Sequence, residues 1–260
     1  MRISAFFAAI AAPVLLTSCI TTTSGGFNVQ ASEEQALESY IQLAIAYYDE
    51  NDLVSARRHV NNALDLDDRS ADAHNVLALI FQQEGDLDLA DENYRRAISM
   101  DRTNSRVRNN YGALLFSEER YQEAYEQFEQ VTEDTNYEGR AIAFENLGRS
   151  ALQLDRNSAA INAFRRVLQL NPDLYISAIE LAVALYQEED WAGARETFQQ
   201  YLVTAGFYSI PHTPRALLAG IQIEGRFQNK ELVDNFALLL STLYQDSPEY
   251  EIYQRISNAN

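Results

Sequence analysis

The chain has 260 residues, enough for one or two ordinary domains, and its 20 Lys plus Arg stand against 38 Asp plus Glu, a formal net charge of −18. So acidic a chain is repelled by phosphate backbones, which argues against a nucleic-acid partner. Apolar residues make up 47% of it, with only 10 Gly and 5 Pro, so a core can be buried and an acidic disordered tail is excluded. Lys230 is the single lysine, and 3 His and 1 Cys complete a poor inventory for catalysis; the lone cysteine also excludes an internal disulfide or a cysteine zinc cluster.

Met1 and Arg2 give a short positive start, followed by an uncharged, mostly apolar run of 14 residues from Ile3 to Leu16. A permanent membrane span needs about 20 such residues. The run reads instead as a secretory signal peptide over residues 1–18. It leads into Leu16-Thr17-Ser18-Cys19, which resembles a bacterial lipobox. That resemblance implies diacylglycerol on the Cys19 thiol, cleavage before Cys19 and an N-acyl chain on the new terminus, with no other cofactor. More than one acyl chain on one residue exceeds the threshold for reversible binding, so the anchor would be stable. Ile20, standing where an aspartate would retain the protein, implies export to the outer membrane and exposure to the periplasm of a Gram-negative bacterium. Residues 19–36 are expected to be the lipidated cysteine and a flexible tether.

From residue 37 the chain repeats: residues 37–70, 71–104, 105–138, 141–174 and 175–208 align as five 34-residue units. Each has a small residue at its eighth place, Ala44, Ala78, Gly112, Gly148 and Ala182, preceded by the larger Leu43, Leu77, Tyr111, Leu147 and Leu181. Alanine follows 12 residues later every time, at Ala56, Ala90, Ala124, Ala160 and Ala194. Four residues further on stands a bulky apolar residue, Val60, Tyr94, Phe128, Phe164 and Phe198. The spacing predicts two antiparallel helices per unit, joined by a polar turn such as Glu50-Asn51-Asp52 or Glu84-Gly85-Asp86. The small residue and the alanine let the helices cross closely, and the bulky residue is expected to fill the space toward the next unit. This is the tetratricopeptide (TPR) pattern, so the expected fold is all-α, a right-handed superhelix.

Gly139 and Arg140 are inserted between the third and fourth units, and Ser209 to His212 lengthen the joint after the fifth. A degenerate sixth unit, about residues 213–246, should contain helices from Pro214 to about Phe227 and from Lys230 to Tyr244. Its register is open, because Ala219-Gly220 supplies small residues but Leu232 or Val233 stands in place of the alanine. An atypical terminal repeat suits a cap. The solenoid is expected over 37–250, with a C-terminal tail over 251–260.

Metal-site spacing, a glycine-rich loop and a nucleophile elbow are all missing, and His59, His74 and His212 are isolated, so neither catalysis nor a small-molecule substrate is expected. The first helix of each TPR unit lines a concave groove, and its free positions meet the ligand. Here those positions are Ile41, Ile45 and Tyr48, then Asn75, Leu79 and Gln82, then Asn109, Ala113 and Phe116. Apolar residues at such places point to a protein partner. Asn75 and Asn109 are placed to hydrogen-bond the backbone of an extended peptide. The alternative is that Val29 to Leu37 folds over Ile41 and Ile45 and buries them.

Several stretches go beyond the repeat pattern. Ser70-Ala71-Asp72-Ala73-His74, Phe81-Gln82 and Leu89 to Ala97 resemble the second repeat of the type IV pilus lipoproteins of the PilF/PilW family. The likeness continues through Arg106 to Gly112, Arg120 to Tyr125, Asp134 to Tyr137 and Phe144 to Gly148. The resemblance implies a pilotin, an outer-membrane lipoprotein that binds the pilus secretin and promotes its assembly without bond chemistry. The sequence departs from the family at Gln228-Asn229, in place of the usual Gly-Asp turn, and in its acidity. Another periplasmic repeat lipoprotein, an adaptor for cell-wall hydrolases or proteases, would share the anchor and the repeats.

Overall fold

The computed structural model describes residues 29–258, which form thirteen α-helices. Twelve pair into six antiparallel hairpins: α1 (Val29–Asp49) with α2 (Leu53–Leu66), α3 (Ala71–Glu84) with α4 (Leu87–Met100), and α5 (Ser105–Ser117) with α6 (Tyr121–Glu133). Then come α7 (Arg140–Gln153) with α8 (Asn157–Leu170), α9 (Tyr175–Gln187) with α10 (Trp191–Tyr208), and α11 (Pro214–Arg226) with α12 (Lys230–Leu243). The signal segment and Cys19 lie outside the described residues.

Each hairpin turn is built the same way. One residue takes a left-handed conformation: Asn51 (φ 61°), Gly85 (86°), Glu119 (60°), Asp155 (55°), Glu189 (61°) and Gln228 (58°). The next N–H then reaches back to a carbonyl near the end of the first helix, from Asp52 to Tyr47 at 2.8 Å through to Asn229 to Glu224 at 3.0 Å. That bond satisfies an orphan carbonyl of the helix end. Glycine meets this backbone demand without strain only at Gly85, and Gln228 meets it in the sixth repeat with a side chain attached. Side-chain caps start many of the helices. Ser70, Asn104 and Thr213 accept from Ala73, Val107 and Ala216 at the starts of α3, α5 and α11.

The helix crossings depend on small residues. Ala56, Ala90, Ala124, Ala160 and Ala194 are each 0% exposed. A Cβ added to Gly112 would lie 2.7 Å from the Phe128 ring, one on Gly148 would lie 2.8 Å from Phe164, and one on Gly220 would lie 2.7 Å from Phe236. The bulky ring lies on the small residue of its own unit and, as expected, also reaches toward the next: Tyr94 packs on Tyr111 with ring centres 5.6 Å apart, and Phe198 lies 2.8 Å from a Cβ built on Gly220. The same contact settles the sixth register: Gly220 is the small residue, and Leu232 stands where the other units have alanine.

Two boundaries differ from expectation. Helix α1 begins at Val29, so residues 29–36 are its first turns rather than tether. At the other end residues 248–258 form α13 (Pro248–Asn258), where a tail was expected over 251–260. α13 packs mainly on α11, with Tyr250 and Tyr253 against the C-terminal core.

Ion pairs and hydrogen bonds join neighbouring repeats. Arg57 binds Glu84, Arg120 binds Asp91 at 2.8 Å, and the Tyr111 hydroxyl donates to the same carboxylate at 2.9 Å. Arg195 reaches the fully buried Glu224 at 3.1 Å, and Asn229 donates to it at 2.9 Å. First helices touch one another along the chain, α1 to α3, α3 to α5, α5 to α7 and α9 to α11, while second helices make no comparable contacts among the described residues. Closer packing of first helices curves the stack, so they line the inside of the superhelix.

Replacing Ala124 with Leu should overpack such a crossing and cost about 1 to 3 kcal/mol, whereas the same change at exposed Ala192 should cost less than about 0.5 kcal/mol. Thermal melts of the two variants check this. An unchanged melt for Ala124→Leu would contradict the crossing.

Candidate functional site

Helix geometry places Ile41, Ile45 and Tyr48 on one stripe of α1, at intervals of four and three residues. All three are half-buried against the core of the first two repeats and half-open. Val29 to Leu37 belongs to the same helix α1, so that segment does not fold back over them. Burial and then the neighbouring Asp49 carboxylate raise the Tyr48 pKa, so its hydroxyl remains a donor.

The second and third repeats extend the lining less evenly. Leu79 and Gln82 are half-buried, and the Tyr94 hydroxyl donates to Gln82 Oε1 at 3.2 Å. Asn75 differs from expectation: it is only 4% exposed, and its Oδ1 accepts from Asn110 Nδ2 at 3.0 Å. Its amide ties α3 to α5 instead of facing a ligand, because adjacent first helices approach closely enough to seal that position. Asn109 is half-buried, and its Oδ1 has no hydrogen-bond partner among the described residues. Ala113 is exposed, and Phe116 is half-buried, with its ring 5.2 Å from that of Tyr121.

Beyond Phe116 the groove widens into an open cavity of about 620 Å³ that the sequence reading did not reach. Its lining includes Phe116, Arg149, Leu152, Glu180, Arg215 and Glu249 of α13. The Arg149 guanidinium lies 5.2 Å from the centre of the Phe116 ring, a cation–π contact, while Arg215 pairs with Glu180 at 3.0 Å. Arg149 and Leu152 hold the places in the fourth repeat that Ala113 and Phe116 hold in the third. Carrying the position rule one repeat further would have found them. The inner surface is therefore apolar at its first repeat and charged toward its end.

The histidines are structural. His74 is 3% exposed, with Nδ1 3.0 Å from Asn93 Oδ1 and Nε2 3.1 Å from the Asp68 carbonyl. His59 stacks on Tyr47 with ring centres 5.3 Å apart. His212 Nδ1 lies 2.6 Å from the Tyr201 hydroxyl, and burial lowers its pKa. Among the described residues no group of His, Cys, Asp and Glu is arranged to hold a metal ion, and no helix is long and apolar enough to cross a membrane. The half-open apolar stripe on α1 and the open cavity beyond Phe116 make the inner surface suited to holding another protein.

Comparison with known proteins agrees with this geometry. Residues 71–104 and 145–209 match the Tetratricopeptide repeat family. The chain is 35% identical over 240 residues to the type IV pilus assembly protein PilF of Pseudomonas aeruginosa, covering 92% of this chain and 93% of that protein. The solved structure of Pseudomonas aeruginosa pilF superposes with a TM-score of 0.77 over 86% of this chain and 99% of that one. The crystal structure of PilW, described as a widely conserved type IV pilus biogenesis factor, shares the fold at 24% identity, with a TM-score of 0.69 over 85% of this chain and 99% of that one. An identity of 35% along nearly the whole of both chains, on the same stack of repeats, makes this protein a member of the PilF/PilW family of TPR proteins of type IV pilus biogenesis.

Proposed function

We propose that the protein is a pilotin: an outer-membrane lipoprotein that holds the type IV pilus secretin in its groove and promotes the secretin's localisation and multimerisation. The observation that carries this reading is the open apolar stripe of Ile41, Ile45 and Tyr48 on the first inner helix. Half-open isoleucines at the mouth of a concave surface gain by being covered, and a partner's apolar side chains would cover them. Membership of a pilus-biogenesis family supplies the pathway in which that partner belongs. No step requires bond chemistry; binding energy alone would hold the secretin near the membrane while its subunits meet.

The anchor in this reading is Cys19, through diacylglycerol and an N-acyl chain, with the protein on the periplasmic face of the outer membrane. Three acyl chains on one residue make dissociation slow, which keeps the bound secretin at its site of assembly.

Ile45→Glu should leave the fold in place, with a stability loss of about 1 kcal/mol because the side chain is only half-buried. It should also reduce secretin multimers, since binding would bury an unpaired carboxylate. Melting curves and a multimer blot on one strain check both arms, and normal multimers with a near-parent melt would place the partner elsewhere. Cys19→Ala should abolish fatty-acid labelling and leave unprocessed precursor in the inner membrane; continued labelling would contradict lipidation at that residue.

A further inference from the structure

Helix α1 carries Glu33, Glu34, Glu38 and Asp49, all exposed, and contains neither Lys nor Arg. Among the described residues none of these four carboxylates bonds to a side chain of another element; Glu38 accepts only from Gln42 on the same helix. The inner helices of the later repeats differ. There every carboxylate has a partner from elsewhere: Asp72 from Asn104, Glu84 from Arg57, Glu145 from Ser177, Glu180 from Arg215 and Glu224 from Arg195. The two cations of α2 do not compensate α1, since Arg57 is bound to Glu84 and Arg58 lies beside Asp52 in the turn.

The uncompensated charges flank the apolar stripe. At about 100° per residue, Glu34 falls on the line of Ile41, Ile45 and Tyr48, two turns before Ile41, while Glu38 and Asp49 fall about 60 to 80° to one side. The opposite flank of the stripe carries Ala44, which is buried against α2, with the exposed Glu33 on that side about three turns nearer the helix start. The result is an apolar centre with a carboxylate rim on its open side and no internal counter-charge.

We infer that the segment docking on α1 is cationic: apolar anchors that cover Ile41, Ile45 and Tyr48, flanked by Lys or Arg that reach Glu34, Glu38 and Asp49. The inference rests on the reading of this stripe as the secretin site and specifies the chemistry of the secretin segment. Complementary charge at a rim raises the association rate and fixes the register of the docked segment, and salt screens it. An anionic or uncharged segment would leave the carboxylates facing like charge or no partner.

Binding of a purified periplasmic fragment of the secretin should be measured at about 0.05 M and 0.5 M salt, where the screening length differs roughly threefold. The full-length protein in detergent would be compared with the triple variant Glu34→Gln, Glu38→Gln, Asp49→Asn, with Ile45→Glu, and with a control, Glu126→Gln, Glu129→Gln, Glu133→Gln, that removes as much charge from the outer helix α6. At low salt the α1 triple variant should bind about tenfold more weakly, as three exposed pairs allow. The two should converge at high salt, the α6 control should bind like the parent, and Ile45→Glu should bind poorly at both. If the α1 triple variant matches the parent or the α6 control at low salt while Ile45→Glu still fails, the groove stands and the cationic segment is overturned. If no version binds the secretin fragment, the pilotin reading fails. The charge inference is then decided by two synthetic peptides with the same three leucines, one flanked by lysines and one by glutamates. Preference for the lysine peptide that Ile45→Glu abolishes supports it, and equal binding overturns it.

Discussion

The structure depends on one contact repeated along the stack, a small residue of a first helix lying under the bulky side chain of its partner. Gly112 under Phe128, Gly148 under Phe164 and Gly220 under Phe236 are its tightest copies, each leaving no room for a Cβ unless the ring shifts. Burying such a ring removes on the order of 1.5 to 3 kcal/mol worth of apolar surface from water. It is possible only because the helix beneath carries nothing at that point. The alanine of the second helix, fully buried in each of the first five repeats, completes the crossing. No hairpin has a further face to bury by itself, so the repeats must stack, and the curvature and inner surface follow from how they stack.

That curvature distributes function. Where first helices crowd together, polar side chains on them are consumed by their neighbours: Asn75 by Asn110, Glu145 by Ser177, Glu180 by Arg215. Among the described residues, α1 has an inner-helix neighbour only in α3. Its apolar stripe is only half covered by the solenoid and its carboxylates find no side-chain partner on another element among the described residues, and that is where another protein gains most by docking. The far end of the groove is finished differently, by α13 packed on α11 and by arginines matched to local carboxylates and rings. The open end and the finished end of the same surface arise from position in the stack rather than from any special motif.

Much of this was legible in the sequence, because a period of 34 residues constrains every unit alike. The five alanines and the first five hairpins follow from it directly. The sixth register was not legible, since Ala219 and Gly220 are equally small and only the Phe236 ring above the glycine distinguishes them. The sixth turn read as a departure because it lacks glycine, yet Gln228 adopts the backbone that Gly85 adopts. Sealing of Asn75 escaped because it depends on Asn110, a residue 35 positions away on another repeat. Helix α13 was missed because its pattern is short, and its Tyr250 and Tyr253 find their core only once α11 is in place.

The central claim, that the first inner helix receives the secretin, is tested most directly by placing a photo-crosslinking residue at position 45 of the intact protein in cells. Position 126, on the outer helix α6, serves as the comparison. Illumination should yield a covalent adduct with the secretin from position 45 and none from position 126. A secretin adduct from 126 alone, or capture of a different envelope protein from 45, would contradict the account.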